Sequence, residues 1–139
     1  AWWIFNFPFN LINEPMIVLT CDNITNLNFE LIKKNYVKKG KPECFLVPVK
    51  PVKKLEGDYI HRNNNIVTKL SRKHKSDIYC SGIQIINPYR INKIMKNTYD
   101  FNNVWKKLIK KKKLKVSDII PKKWFTIDNM EQLKIYKKK

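Results

Sequence analysis

Short apolar runs that read as β-strands alternate along this chain with stretches whose apolar residues recur at helical spacing, which confines it to layered α/β architectures. The first run, Met16-Ile17-Val18-Leu19 within "EPMIVLTCDNITNLNF", predicts a strand over 16–21 and stops abruptly at Asp22-Asn23. Beyond it Asn28 is placed to cap a helix and Leu27 to staple onto Ile32. Phe29, Ile32 and Tyr36 then keep helical spacing until Gly40 ends the helix. "ECFLVPV" (43–49) follows as a short buried strand, with Pro48 and Pro51 predicting an exit towards an edge or loop. A strand, helix, strand unit of this kind predicts a mixed, mainly parallel sheet with flanking helices.

The later segments continue the alternation. "GDYIHRNNNIVTKL" (57–70) reads as a hairpin, its Asn63-Asn64-Asn65 supplying residues that tolerate left-handed turn geometry. "IYCSGIQII" (78–86) is a strand interrupted by Ser81-Gly82, and a glycine inside a strand marks a bulge or a close backbone approach. In "DFNNVWKKLIKKKK", Asp100 can cap a helix whose Phe101, Val104, Trp105, Leu108 and Ile109 form one apolar stripe, so these aromatics belong to the core. A short segment (114–119) and the strand "KWFTI" lead to a terminal helix, "MEQLKIYKKK", capped by Asp128 or Asn129.

The 139 residues, 43% of them hydrophobic, suffice for one domain with a core. No run approaches the ~20 apolar residues that span a bilayer. The aromatic opening "AWWIFNFPF" also lacks the basic flank of a signal peptide, so a cytoplasmic protein without a membrane partner is expected. Cys21, Cys44 and Cys80 lie in apolar contexts with no metal-ligand spacing and read as reduced core thiols. The charge balance, 29 Lys+Arg against 11 Asp+Glu, suggests a polyanion partner. The excess is nonetheless mostly lysine spread among Asn and Ile, the mix that A- and T-rich codons produce. It concentrates at helix ends, where cations suit the macrodipole, and in the tail 137–139. With no zinc finger or stacked-aromatic RNA-binding signature, a basic nucleic-acid-binding module is the alternative reading rather than the leading one.

Asp22 and Asp128 carry the chemistry. An aspartate is rarely buried without a partner, and each of these follows an apolar strand and precedes a helix. That is the strand end at which open α/β sheets collect ligands. If the two strands are neighbours the carboxylates converge into a hard-oxygen site for Mg²⁺, which takes one or two carboxylates and completes its shell with water and phosphate oxygens. The alternative is a turn residue at Asp22 and a helix cap at Asp128.

At these residues the chain resembles the nucleoside-diphosphate-sugar pyrophosphorylases, the sugar-phosphate nucleotidyltransferases. "IVLTCDNI" is similar to their strand and acidic turn. "EGDYIHRNNNIVTKL", "SRKHK", "YCSGIQII", "DFNNVWKKLI" and "WFTIDNMEQL" follow in the family's order over nearly the whole chain. The resemblance implies a Rossmann-like, GT-A-like nucleotide-diphospho-sugar transferase fold. It also implies transfer of NMP from a nucleoside triphosphate to a sugar 1-phosphate with release of pyrophosphate. Asp22 and Asp128 would hold Mg²⁺ as the catalytic pair. Asn23 would bind substrate beside them, and Lys73, or Arg72 or Lys75 in another register, would neutralise the sugar phosphate. Ser81 and Gly82 would let the backbone approach the sugar. A cytidylyltransferase acting on phosphocholine or another alcohol phosphate is the neighbouring alternative.

Two departures stand out. Many relatives carry an acid where this chain has Thr126, and the family's glycine-rich triphosphate loop has no counterpart among the three glycines here. Residues 1–139 are therefore expected to be the C-terminal part of one nucleotidyltransferase domain. Such a part, incomplete at its N-terminus, is expected to be inactive alone and prone to self-associate through Trp2, Trp3, Phe5, Phe7 and Phe9.

Overall fold

The apolar run that begins at Met16 keeps strand conformation only to Val18 (β1, Met16–Val18). The chain then turns through Cys21 and Asp22 into a second short strand, β2 (Asn23–Thr25). The computed structural model describes residues 1–53 and 55–137, and Lys138 and Lys139 of the basic tail lie outside them. Helix α1 (Phe29–Lys38) is started by Asn28, whose side chain accepts from the Leu31 amide. Gly40 ends it at φ +83°, where the amides of Gly40 and Lys41 donate to the carbonyls of Val37 and Tyr36. There follow β3 (Cys44–Val49), β4 (Tyr59–Asn63), β5 (Ile66–Ser71), β6 (Tyr79–Ile86), α2 (Pro88–Asn92), α3 (Phe101–Lys110), β7 (Leu114–Val116), β8 (Trp124–Thr126) and α4 (Met130–Lys137). Two 3-10 turns, Trp2–Phe5 and Phe9–Leu11, precede β1.

Six strands form one sheet in the order β1-β6-β3-β7-β5-β4, and β2 and β8 form a separate antiparallel ribbon. The α/β class and the Rossmann-like mixed sheet stand, but the expectation of a mainly parallel sheet is corrected. Among the described residues only β3 and β7 pair in parallel, joined by a path long enough to contain α2 and α3. The unit β1-α1-β3 does leave its two strands pointing the same way. They are not neighbours, because β6 inserts between them, antiparallel to both. The hairpin β4–β5 turns at Asn64, at φ +53°, and its first residue returns to the start of β6 through Tyr59 opposite Tyr79. Pro48 marks no exit. It stays within β3, beyond Leu46, the last residue paired with β7, in a stretch where β3 has β6 alone as neighbour.

Alternation along β3 divides the core. Cys44 and Leu46 face a cluster closed by α2, α3 and the first 3-10 turn, with Ile4, Ile91, Val104, Trp105 and Leu108. Phe45 and Val47 face a second cluster with Ile32 and Tyr36 of α1. Asp100 caps α3, accepting from the Asn102 amide at 2.8 Å. Trp105 is a core residue as its spacing predicts, its indole N–H donating 2.9 Å to the buried Gln84. The Cys44 thiol is buried in this core and the half-buried Cys80 packs against it, its thiol pushed up to about 12 by burial. Cys21 is exposed, which corrects the reading of all three as core thiols. The N-terminal aromatics are partly accommodated: Trp3 packs edge-on to Phe9 and Phe101 and Phe5 is buried, while Trp2 and Phe7 stay exposed. Among the described residues no helix is long and apolar enough to cross a membrane.

Candidate active site

The predicted bulge in β6 builds the floor of the site. Register passes from Leu46 opposite Gln84 to Pro48 opposite Cys80, so Ser81, Gly82 and Ile83 face the single residue Val47. Ser81 repairs the broken ladder. Its buried hydroxyl donates 2.7 Å to the Val47 carbonyl and accepts from the Ile83 amide at 3.1 Å. Gly82 makes the path possible at φ +80°, and a Cβ there would come within 3.3 Å of Thr20 Cγ2. One close neighbour of Gly82 is thus this chain's own Thr20. The Ser81 hydroxyl is satisfied inside the sheet.

The 20–23 turn sits on that bulge. Asn23 is its clasp, with Nδ2 donating to Thr20 Oγ1, to Asp22 Oδ1 at 3.3 Å and to the Ser81 carbonyl at 3.3 Å. Its Oδ1 accepts from the indole N–H of Trp124. Asp22 does not stand between a strand and a helix as the sequence suggests, because β1 ends early and β2 begins directly after it. The ribbon is what brings the second acid near. Asn23 lies opposite Thr126, so the Asp22 carbonyl accepts from the Ile127 amide at 3.0 Å and the Thr126 hydroxyl donates 3.2 Å to Asp22 Oδ2.

Asp128 follows two residues after Thr126, and its side chain lies within hydrogen-bonding reach of Asp22. The alternative role for it, helix capping, is taken by its neighbour. Asn129 Oδ1 accepts from the Gln132 amide at 2.9 Å, and Gln132 reaches back to the Asp128 amide at 2.6 Å. The Asp128 carboxyl is left free to face Asp22. Burial pushes the Asp22 carboxyl up, but hydrogen bonds from Thr20, Asp128, its own backbone amide and Thr126 outweigh this and hold it below the ordinary value. In a chain with 29 Lys and Arg, neither carboxylate has a cationic partner among the described residues.

Lys73 is not brought into this constellation by any contact. It is exposed in the bend after β5 and makes no hydrogen bond or ion pair among the described residues. Of its alternatives, Arg72 pairs with Asp58 at 3.5 Å and Lys75 is exposed. Thr20 and Trp124 complete the site and were not legible as members of it, while Thr126 was marked only as the place where relatives carry an acid. Their signal is the register between β2 and β8, and β2 has no apolar alternation to announce it.

The donor set is two carboxylates with hydroxyl and amide oxygens beside them, the hard-oxygen chemistry suited to Mg²⁺. No cluster of three or more His, Cys, Asp or Glu that could hold a metal occurs among the described residues. A cation here would therefore take part of its shell from water or a ligand.

No protein-family model and no curated protein sequence matches the chain. Solved structures do. The chain is similar to an inositol-1-phosphate CTP transferase from T. maritima, with TM-score 0.69 and 15% identity, covering 89% of this chain and 54% of that one. A Bacillus anthracis protein described as a glucose-1-phosphate thymidylyltransferase gives TM-score 0.68 and 14% identity, covering 88% and 53%. A nucleoside-diphosphate-sugar pyrophosphorylase from Vibrio cholerae gives 0.59 and 12%, covering 90% and 56%. The chain thus has the fold of these proteins and spans about half their length.

Proposed function

We propose that the chain is the cation-holding part of a nucleotidyltransferase that moves NMP from a nucleoside triphosphate to a sugar 1-phosphate. The observation that carries this is the facing pair Asp22 and Asp128, left without a cation in a chain of net charge +18. A fold rich in lysine leaves such a pair of acids without a cationic partner where a cation from outside the chain takes that place. The likeness to solved nucleotidyltransferases supports the same reading.

In the reaction an oxygen of the sugar phosphate attacks the α-phosphorus, and the bond to the pyrophosphate oxygen breaks. Two anions must be brought together, so positioning and charge neutralisation dominate the barrier and no side-chain nucleophile is required. Mg²⁺, when bound by Asp22 and Asp128, would supply neutralisation of phosphate charge. The protein's own part is to keep Asp22 ionised and aimed. Thr126 and Thr20 hold its oxygens, Asn23 ties the turn to the β6 bulge, and Asn129 keeps Asp128 out of the helix cap. Asn23 is on this reading a clasp for the carboxylate rather than a substrate ligand. Lys73, exposed and unpaired, is free to meet the sugar phosphate. The sequence has no glycine-rich loop to cradle a triphosphate, so residues 1–139 alone are expected to hold the cation without turning over nucleotide. Exposed Ile17 and Leu19 at the β1 edge support self-association. The free thiols of Cys21, Cys44 and Cys80 suit the cytoplasm.

Calorimetric titration with Mn²⁺ as the probe tests the pair. D22N and D128N are each expected to weaken binding at least tenfold, while N129A keeps the site. Equal binding by wild type and D22N/D128N would overturn the assignment. Robust pyrophosphate release by the 139-residue chain from a nucleoside triphosphate and a sugar 1-phosphate would overturn its incompleteness.

A further inference from the structure

A groove of about 810 Å³ lies between the β2–β8 ribbon, the C-terminal end of α4 and the segment after β3, within the size range of small-ligand sites. It is distinct from the carboxylate pair. Tyr136 of α4 packs on Phe125, the β8 residue between Trp124 and Thr126, and so on the ribbon face turned away from Asp22. Neither Asp22 nor Asp128 lines the groove.

Its composition is one-sided. Lys50, Lys122, Lys123 and Lys137 reach it from three separate segments, and none of its described lining residues is acidic. None of the four ammonium groups makes an ion pair or hydrogen bond among the described residues. Like charges gathered around one concavity cost free energy that an anion relieves. Tyr136, 38% exposed, offers a flat ring beside them, and Trp124, held by Asn23 and packed on the core, contributes only to the rim. An aromatic face for a planar ring and ammonium groups for phosphate oxygens are the two elements that bind a nucleotide without base-specific hydrogen bonds.

We propose that this groove binds a nucleotide unit, a planar base joined to phosphate, at a site separate from the carboxylate pair. The unit has two sources, a free nucleotide or a single strand of nucleic acid, and the test separates them. Fluorescence anisotropy of a labelled uridine decamer is measured over a range of salt, with UMP as competitor. K50Q/K122Q/K123Q is expected to weaken decamer binding at least tenfold and to lower the salt slope by about 0.7 for each phosphate that no longer meets an ammonium group. K33Q/K34Q/K38Q removes the same charge from the solvent face of α1 and is expected to cost less than about threefold. Y136A is expected to weaken binding at least about fivefold at unchanged salt slope. Displacement by UMP with the same sensitivity to the groove variants identifies free nucleotide as the source, and failure of UMP to compete identifies a strand. Equal losses in the two triple variants, or no effect of Y136A, would mean diffuse attraction to a basic surface and would overturn the site. D22N/D128N is expected to leave decamer binding unchanged. A loss there would place the probe at the carboxylates and likewise overturn the proposal.

Discussion

Replacing Gly82 by alanine separates two costs that meet at one position. The first is the backbone: φ +80° is left-handed, and a residue with a Cβ pays about 1–2 kcal/mol to stay there. The second is contact, because the new Cβ meets Thr20 Cγ2 at 3.3 Å and Oγ1 at 3.5 Å, tight enough that the turn bearing Asp22 must give way. Overpacking of this kind costs about 1–3 kcal/mol, so G82A should lose about 2–5 kcal/mol in all. Gly40 provides the control. Its φ of +83° carries the same backbone cost, and the one atom near its Cβ is the flexible Lys115 Nζ at 3.9 Å, so G40A should lose only about 1–2 kcal/mol. At about 3–5 °C per kcal/mol for a chain of this size, thermal unfolding followed by circular dichroism resolves the two. T20S removes Cγ2 and keeps the hydroxyl, so G82A measured in a T20S background should recover part of the excess. Mn²⁺ affinity should fall in G82A and stay unchanged in G40A. Equal stability losses in G40A and G82A, with no recovery from T20S, would refute the idea that Thr20 and Gly82 together set the position of Asp22.

Three further outcomes are expected. S81A leaves the Val47 carbonyl and the Ile83 amide without their shared partner and should cost about 1–3 kcal/mol in chemical denaturation, with the far-UV spectrum preserved. N129A should cost about 1 kcal/mol, and hydrogen exchange should report the loss in the first turn of α4 rather than in the sheet. Glu43 is buried, which pushes its carboxyl up. Lys113 at 2.9 Å, its own amide and Arg90 at 3.1 Å outweigh that and hold it below its ordinary value of 4.5. A depressed folded-state pKa stabilises the fold above the unfolded value and loses that contribution as pH falls through the folded one. Wild type should therefore lose stability below about pH 4.5 more steeply than E43Q, and identical acid profiles would remove Glu43 as a contributor.

Local chemistry made much of the fold legible. Asn28 and Asp100 cap the helices they were expected to cap, Gly40 closes α1, the asparagine triplet turns the hairpin and Gly82 bulges β6, because each depends on a residue's own backbone preference or on partners within one turn. Trp105 was legible as core for the same reason, since its stripe is set by helical period alone. The arrangement of strands was not legible. β1-α1-β3 reads as a parallel neighbour pair, and no local signal reports that a strand more than thirty residues later slides between them. Pro48 misleads in the same way, since its missing amide is tolerable only where β7 has already ended.

The site divides along that line. Residue type and short spacing alone placed acids after two apolar strands, offered Asp128 or Asn129 as the cap of α4, and let a glycine double the backbone back at 82. The tertiary structure alone decided that Asp22 and Asp128 face each other, because their meeting rests on the register of β2 against β8 across more than a hundred residues. It also set Gly82 against Thr20 and gathered lysines from three distant segments around one groove. Contacts over such separations are fixed by how complementary surfaces bury against each other, which depends on the whole chain at once and is written in no single stretch of it.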